Sequence, residues 1–246
     1  MSEIRAVVFD CYSTLIDIKT DESKPEIYHY LSLYLQYYGA QLEEKNLRNM
    51  LKREKEKYIR RKNERYPEVD LEAVFGKILK RAGLNNPFLT ESCCKLFRLL
   101  SRERFQLFPD SLPVLEEIKK SGYEMAVVSD AQKVFCLQEG QLLGINDYFN
   151  HIVISTQFGF RKPDARLFEI ACNLLGVPPV ESVYIGDHPE KDIEGAKNIG
   201  MQMILVNRNL HEGSPNMQFR PDYYAKDLRE AWQWIKTNKK YRQINN

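Results

Sequence analysis

Ala6-Val7-Val8-Phe9-Asp10-Cys11-Tyr12-Ser13-Thr14-Leu15 runs four apolar residues directly into a carboxylate and a turn that carries hydroxyls. A short apolar run bounded in this way reads as a buried strand. Two later segments repeat the pattern. Met125 to Val128 leads into Ser129-Asp130, and Val183 to Ile185 leads into Gly186-Asp187-His188-Pro189-Glu190-Lys191-Asp192. Each puts polar groups at the carboxyl end of a strand, and in an open parallel sheet that edge is where ligands bind. Arg161-Lys162-Pro163 adds a lysine, with Pro163 favouring extended geometry at Lys162 and suiting the first turn of a following helix.

Outward from these segments the chain alternates helix and strand. A helix is expected over Ser111 to Ser121 with Asp110 as its cap, followed by one from about Lys133, one over Arg166 to Leu175 and one over Lys191 to Ile199. Strands are expected at Ile152 to Ile154, at Met203 to Val206 and, last, at Asp222 to Ala225, with Trp232 and Ile235 as the docking stripe of a final helix. This pattern predicts an α/β fold, a Rossmann-like doubly wound parallel sheet built from residues 1–18 and 105–246. The intervening 19–104 is too long for a structureless loop and must carry its own fold. There Pro25 suits a first turn, and Leu71, Val74, Phe75, Ile78 and Leu79 form a helical face capped by Asp70. A further helix is expected from Thr90 to Arg102.

Composition narrows the class. A hydrophobic share of 43% is ordinary for a globular protein, and a formal charge of +2 leaves no footprint of a dedicated nucleic-acid binder. No apolar stretch is long enough to cross a bilayer, and the first strand begins too early to leave room for a signal peptide. These features point to a cytoplasmic protein with neither nucleic acid nor membrane as partner. Five cysteines without Cys-x-x-Cys spacing argue against a disulfide framework and a structural zinc site. The basic stretch Lys52 to Arg65 reads as a solvated helix laced with opposite charges.

A carboxylate, a hydroxyl, a lysine and a second pair of carboxylates in one crevice suit phosphoryl transfer with an aspartate nucleophile and a divalent cation. Asp10 would form an acyl phosphate that water later hydrolyses. Thr14 would support the loop, Ser129 would offer a hydroxyl to a phosphoryl oxygen, and Lys162 would offset the negative charge. Asp187 and Asp192 straddle a strand-to-helix junction, a placement that suits magnesium. His188 is assigned to turn packing, because a hard cation does not need imidazole.

In their order, the four segments resemble the motifs of the haloacid dehalogenase superfamily: an aspartate-led Asp-x-Asp-x-Thr, a Ser or Thr after a second strand, a Lys, and a Gly-Asp followed by another acid. The helical insert between the first two resembles that family's type 1 cap. The resemblance implies Asp10, Thr14, Ser129 and Lys162 as catalytic residues. It also implies Cys11, Tyr12, Ser129, Asp130 and Lys162 as phosphate-binding residues, with the Cys11 side chain itself read as packing. Magnesium would be held by Asp10, the Tyr12 backbone carbonyl, Asp187 and Asp192.

Tyr12 departs from the phosphatase pattern, in which a second aspartate protonates the leaving oxygen. A phenol with an ordinary pKa near 10 is poorly matched to that task. Haloacid dehalogenases carry tyrosine there, and a departing halide needs neither proton nor metal. However, Asp187 with Asp192 follows the metal-binding version of the fourth motif, and Asp130 stands where dehalogenases have asparagine. The expected function is therefore a magnesium-dependent phosphohydrolase of a small phosphorylated metabolite, with a preference for leaving groups of low pKa. A dehalogenase-type hydrolase and a non-catalytic phosphate or metal binder stand as alternatives.

Overall fold

Strand β1 (Ala6–Phe9) is buried along its whole length and pairs in parallel on both sides, with β4 (Glu124–Ser129) and β6 (Ser182–Gly186). The computed structural model describes residues 3–208 and 218–244, with side chains through residue 238. Adding β5 (His151–Ile154), β7 (Gln202–Val206) and β8 (Tyr223–Ala225) gives a six-stranded sheet of order β5-β4-β1-β6-β7-β8 in which every pairing is parallel. From β1 the chain builds to one side through β4 and β5, then returns to the other side through β6, β7 and β8. The order reverses at β1, so a crevice opens there at the carboxyl ends of the strands.

Alternation along β1 sends Val7 and Phe9 to one face and Val8 to the other. The first face packs against α5 (Ser111–Lys120) and α9 (Leu228–Ile244), which bring Val114, Leu115, Ile118, Trp232 and Ile235. Against the second lie α7 (Ala165–Leu175) and α8 (Glu194–Asn198), with Leu167, Phe168, Ala171 and Ala196. Gly195 permits the close approach of these two helices, since a Cβ there would stand 2.1 Å from the Phe168 ring. The α/β expectation holds.

Four helices form a second unit with its own core: α1 (Pro25–Tyr37), α2 (Glu44–Arg60), α3 (Leu71–Arg81) and α4 (Pro87–Ser101). Asp70 caps α3 by accepting from Ala73 N at 3.1 Å. α4 starts earlier than Thr90, because Asn86 caps it and Pro87 tolerates the first helical turn. Along α2 the basic residues have acidic neighbours, with Lys57 pairing to Glu54 and Arg60 to Glu56.

Three local expectations are corrected. Helix α4 ends at Ser101, and β3 (Arg102–Leu107) follows it, pairing antiparallel with β2 (Ile16–Thr20). Apolar Phe105 and Leu107 alternate with Arg104 and Gln106, a strand period in a stretch that the sequence reading leaves without an element. This ribbon joins the two units, and the expected boundary falls inside it, at the Ile18–Phe105 and Lys19–Arg104 pairs. Asp110 stands at the N-cap position of α5, as expected, but its side chain makes no cap there. Its carboxylate instead accepts from Arg208 Nη2 at 2.6 Å and from Leu228 N at 2.8 Å, capping α9 across space. Pro163 stands outside the first turn of α7, which Asp164 caps by accepting from Arg166 N.

Helix α6 (Lys133–Leu142) follows β4. All five cysteines are buried and free of disulfides. Among the described residues no helix is long and apolar enough to cross a membrane.

Candidate active site

The carboxyl ends of β1, β4 and β6 surround a cavity of about 200 Å³ lined by Asp10, Tyr12, Ser13, Ser129, Asp130, Lys162, Asp187, His188 and Lys191. Asp10 N donates to Ile185 O at 2.9 Å, extending the ladder by one residue and holding the carboxylate at the strand end. The loop behind it is fixed from several sides. Leu15 N and Ile16 N both donate to Cys11 O, and Leu15 O accepts from Ser111 Oγ at 2.7 Å. Thr14 O accepts from Arg208 Nε at 3.3 Å. Ser13 adopts φ 67°, a left-handed conformation unusual for a residue with a side chain. Surrounding contacts must hold that conformation in place.

Lys162 is 3% exposed and spends its three donors inside the protein: on Asp10 Oδ1 at 2.6 Å, Asp192 Oδ1 at 2.7 Å and Tyr184 Oη at 3.1 Å. Asp130 anchors the backbone of this lysine, Oδ1 accepting from Lys162 N at 2.8 Å, while its Oδ2 faces Lys191 Nζ at 3.6 Å. Asp192 Oδ2 accepts from His188 N at 2.9 Å. Gly186 makes that placement possible, for a Cβ there would stand 2.4 Å from the same oxygen. Thr14 Oγ1 donates to Asp187 Oδ1 at 3.0 Å, and Asp10 Oδ2 lies farther from it at 3.5 Å.

Electrostatics follow from burial. Desolvation pushes the Asp10 carboxyl well above the usual range; Lys162 pulls it down, and Asp192 and Asp187 push it up again. Burial works against the Lys162 ammonium, but Asp10 and Asp192 outweigh it and raise its pKa. Ser129 Oγ is buried on the cavity wall without a hydrogen-bond partner, which asks for an acceptor supplied from outside. Ligand oxygens of Asp10, Asp187 and Asp192 lie within 4.8 Å of one another. Three carboxylates against one ammonium leave a negative excess that fits a hard divalent cation. Asp192 already has protein partners on both oxygens, so its carboxylate is committed to orienting Lys162 and the turn at His188.

The structure therefore brings Asp10, Thr14, Ser129, Asp130, Lys162, Asp187 and Asp192 together. It does not bring in the Cys11 side chain, which alternation turns into the core away from Asp10. His188 serves the turn as expected, its Nδ1 accepting from Lys191 N at 3.5 Å at the head of the wide turn Pro189–Ile193. Both it and Lys191, which the sequence reading left out of the site, line the cavity. Tyr184 was also missed. Its signal is a phenol in an otherwise apolar strand, which needs a buried partner.

Tyr12 presents its ring to the cavity but sends its hydroxyl elsewhere, donating to Glu139 Oε2 at 2.5 Å. Burial, joined by the charge of Glu139, raises the phenol pKa far above 10. Neither Glu139 nor its partner Arg98 carries a motif, and nothing in the sequence links them to Tyr12.

Residues 7–206 match the profile of a family described as haloacid dehalogenase-like hydrolase. A phosphoserine phosphatase of Thermus thermophilus is 34% identical over 163 residues, 65% of this chain and 63% of that protein. A glyceraldehyde 3-phosphate phosphatase of Methanopyrus kandleri is 30% identical over 139 residues, 56% of this chain and 60% of its own length. The chain thus spans about three-fifths of the length of these curated relatives. Among solved structures, a 2-haloacid dehalogenase of Pseudomonas syringae aligns with TM-score 0.73 at 23% identity, covering 96% of this chain and 99% of that one. A HAD phosphatase of Thermococcus onnurineus aligns with TM-score 0.62 at 24% identity, covering 94% and 98%. Likeness at that identity is one of fold. The profile match is of another kind, for it takes in the whole run from Asp10 to Asp192, and by it this chain belongs to the haloacid dehalogenase-like hydrolase family.

Proposed function

We propose that the protein is a magnesium-dependent phosphohydrolase that acts on small phosphorylated metabolites through an aspartyl phosphate on Asp10. The observation that carries this reading is the orphan hydroxyl of Ser129 on the same small cavity as Asp10, Asp187 and the buried Lys162. Lys162 holds Asp10 Oδ1, so Oδ2 is the oxygen left to attack phosphorus. As the Asp10–phosphorus bond forms, the bond to the leaving oxygen breaks; water then cleaves the acyl phosphate and returns the carboxylate. Ser129 would donate to a phosphoryl oxygen while Lys162 offsets the charge of the group in transfer. Magnesium, held by Asp10, Asp187 and the Tyr12 carbonyl with Asp192 beside them, would supply the charge that brings two anions together.

Tyr12 does not serve as the acid in this reading, because its proton is committed to Glu139. The leaving oxygen departs without a proton, which favours acyl phosphates, anhydrides and aryl phosphates over alkyl monoesters. The cavity is small, about 200 Å³, which favours a small substrate. Names among the relatives support a phosphatase and leave the substrate open.

Phosphate release from acetyl phosphate, p-nitrophenyl phosphate and glycerol 3-phosphate, with magnesium or with EDTA, tests the reading on wild type beside Asp10→Asn. Release that needs magnesium and Asp10, fastest on acetyl phosphate, is the expected result. Equal turnover of acetyl phosphate and glycerol 3-phosphate would sink the leaving-group preference. Halide release from 2-chloropropionate that ignores EDTA would replace the whole proposal with displacement at carbon.

A further inference from the structure

Tyr12, Glu139 and Arg98 come from three distant parts of the chain: the loop after β1, α6 and α4. Arg98 Nε donates to Glu139 Oε1 and Nη2 to Oε2, both at 2.8 Å, a bidentate grip on the carboxylate that receives the Tyr12 hydroxyl. The guanidinium also lies 5.1 Å over the Tyr12 ring and 4.6 Å over that of Phe135. Arg102 stands 3.8 Å from Oε1, and the Glu139 and Arg98 side chains are only 5% and 15% exposed. A buried ion pair of this kind adds little net stability over an apolar pair of the same shape, whereas removal of one partner is expensive. Stability alone gives no reason for it.

Its position gives one. Arg98 belongs to the last helix of the helical unit, which runs into β3 and so into the ribbon between the units. Glu139 belongs to the α/β unit, and Tyr12 forms part of the cavity wall. Across the cavity a second attachment uses backbone: Arg161 N donates to Tyr66 O at 2.9 Å and Glu68 N to Gly159 O at 3.0 Å, just before Lys162. Side chains add to this attachment, Ser155 Oγ donating to Glu68 Oε2 and Gln132 Nε2 to Val69 O, both at 2.6 Å. The helical unit is thus fastened at both places; at the Glu139 one the link ends on Tyr12, a residue of the cavity wall.

We infer that Glu139 is a positioning residue that joins Arg98 to Tyr12, so that the seating of the helical unit and the placement of the Tyr12 wall are one equilibrium. The inference rests on the phosphohydrolase reading for its kinetic consequence. When the clasp opens, the wall is released and the fraction of molecules with a formed site falls. Apparent affinity falls by that fraction, and turnover of the formed complex is unchanged. Glu139 touches no reacting atom and acts through Tyr12.

Kinetics of Tyr12→Phe, Glu139→Gln and Arg98→Met on acetyl phosphate test the clasp. Loss of a hydrogen bond to a charged group predicts a KM about tenfold higher, with kcat changed less than about threefold. Because all three changes open one equilibrium, Tyr12→Phe combined with Arg98→Met is expected to raise KM no further than the worse single variant. An unchanged KM, a loss confined to kcat, or effects that multiply in the double variant would overturn the inference. If Glu139→Gln or Arg98→Met does not fold, Tyr12→Phe, which keeps the ring, and Arg98→Lys carry the same comparison. Amide hydrogen exchange supplies a readout without turnover. Faster exchange in residues 11–16 and in α4 together supports the clasp, and faster exchange in only one of them refutes it. A wild type that releases no phosphate would refute the proposed reaction and leave the exchange result to decide this inference.

Discussion

Lys162 Nζ stands 2.6 Å from Asp10 Oδ1, although the two residues lie 152 positions apart in the chain. The pair is almost wholly buried, so each charge depends on the other to offset its desolvation. Asp192 takes the remaining side of the ammonium at 2.7 Å, and the three groups form one unit.

Lys162→Met removes the cation and leaves two carboxylates facing each other inside the protein. Unfolding free energy is expected to fall by about 3 kcal/mol in the absence of divalent cation, as expected for a broken buried pair. Urea denaturation with EDTA present measures this. A loss under about 1 kcal/mol would mean that solvent reaches the pair more freely than its burial implies.

Gly186→Ala acts on the same unit from behind. The added Cβ would meet Asp192 Oδ2 at 2.4 Å and Cγ at 2.6 Å, so the carboxylate must leave its place between Lys162 and His188 N. Displacement of about an ångström at such a site predicts a loss of about a hundredfold in kcat/KM. Circular dichroism separates this from unfolding, and a folded variant of wild-type activity would remove Asp192 from the orienting role.

Tyr12→Asp restores the residue that the related phosphatase motif carries at this position. A carboxylic acid placed there has the proton that the clasped phenol withholds. The ratio of kcat/KM on glycerol 3-phosphate to that on acetyl phosphate is expected to rise about a hundredfold, the usual worth of a positioned acid. Pairing the change with Glu139→Gln removes the nearby like charge, and an unmoved ratio in both variants would deny the leaving-group argument.

Glu68 gives a pH dependence. Ser155 Oγ donates to its Oε2 at 2.6 Å, yet burial, with the charge of Asp130 added, raises its carboxyl pKa. A carboxyl whose folded pKa lies above its unfolded value contributes stability that is fully present below the unfolded value, about 4.3. That contribution is lost as pH rises through the folded value. Glu68→Gln escapes the loss, so its stability relative to wild type is expected to improve between pH 4 and pH 7.5. Denaturant midpoints at those two pH values check the sign, and a relative stability that worsens with pH would reverse it.

The apolar run Ala6 to Phe9, ended by Asp10, and its two repeats at Ser129 and Gly186-Asp187 were enough to name the parallel sheet and the edge where its polar groups gather. That information is local. A short apolar run makes a buried strand, and the first polar residue after it must emerge at the strand's end, whatever lies elsewhere. Lys162 was legible from its place in the order of segments, and Asp70 from its spacing to an apolar helical face. Tertiary structure alone decided the rest. The Tyr12 hydroxyl turns to Glu139, 127 positions away, and the Asp110 carboxylate caps α9 although the residue sits at the N-cap of α5. Residues 16–20 find 102–107 across the whole helical unit, and Tyr184 reaches Lys162 from the neighbouring side of the sheet. A side chain with several partners in reach takes the one that folding delivers, and which partner arrives depends on contacts between segments far apart in the chain. The residue type at position 12 therefore raised the question of the missing acid, and only the packing of α4 on α6 answers where that proton is held.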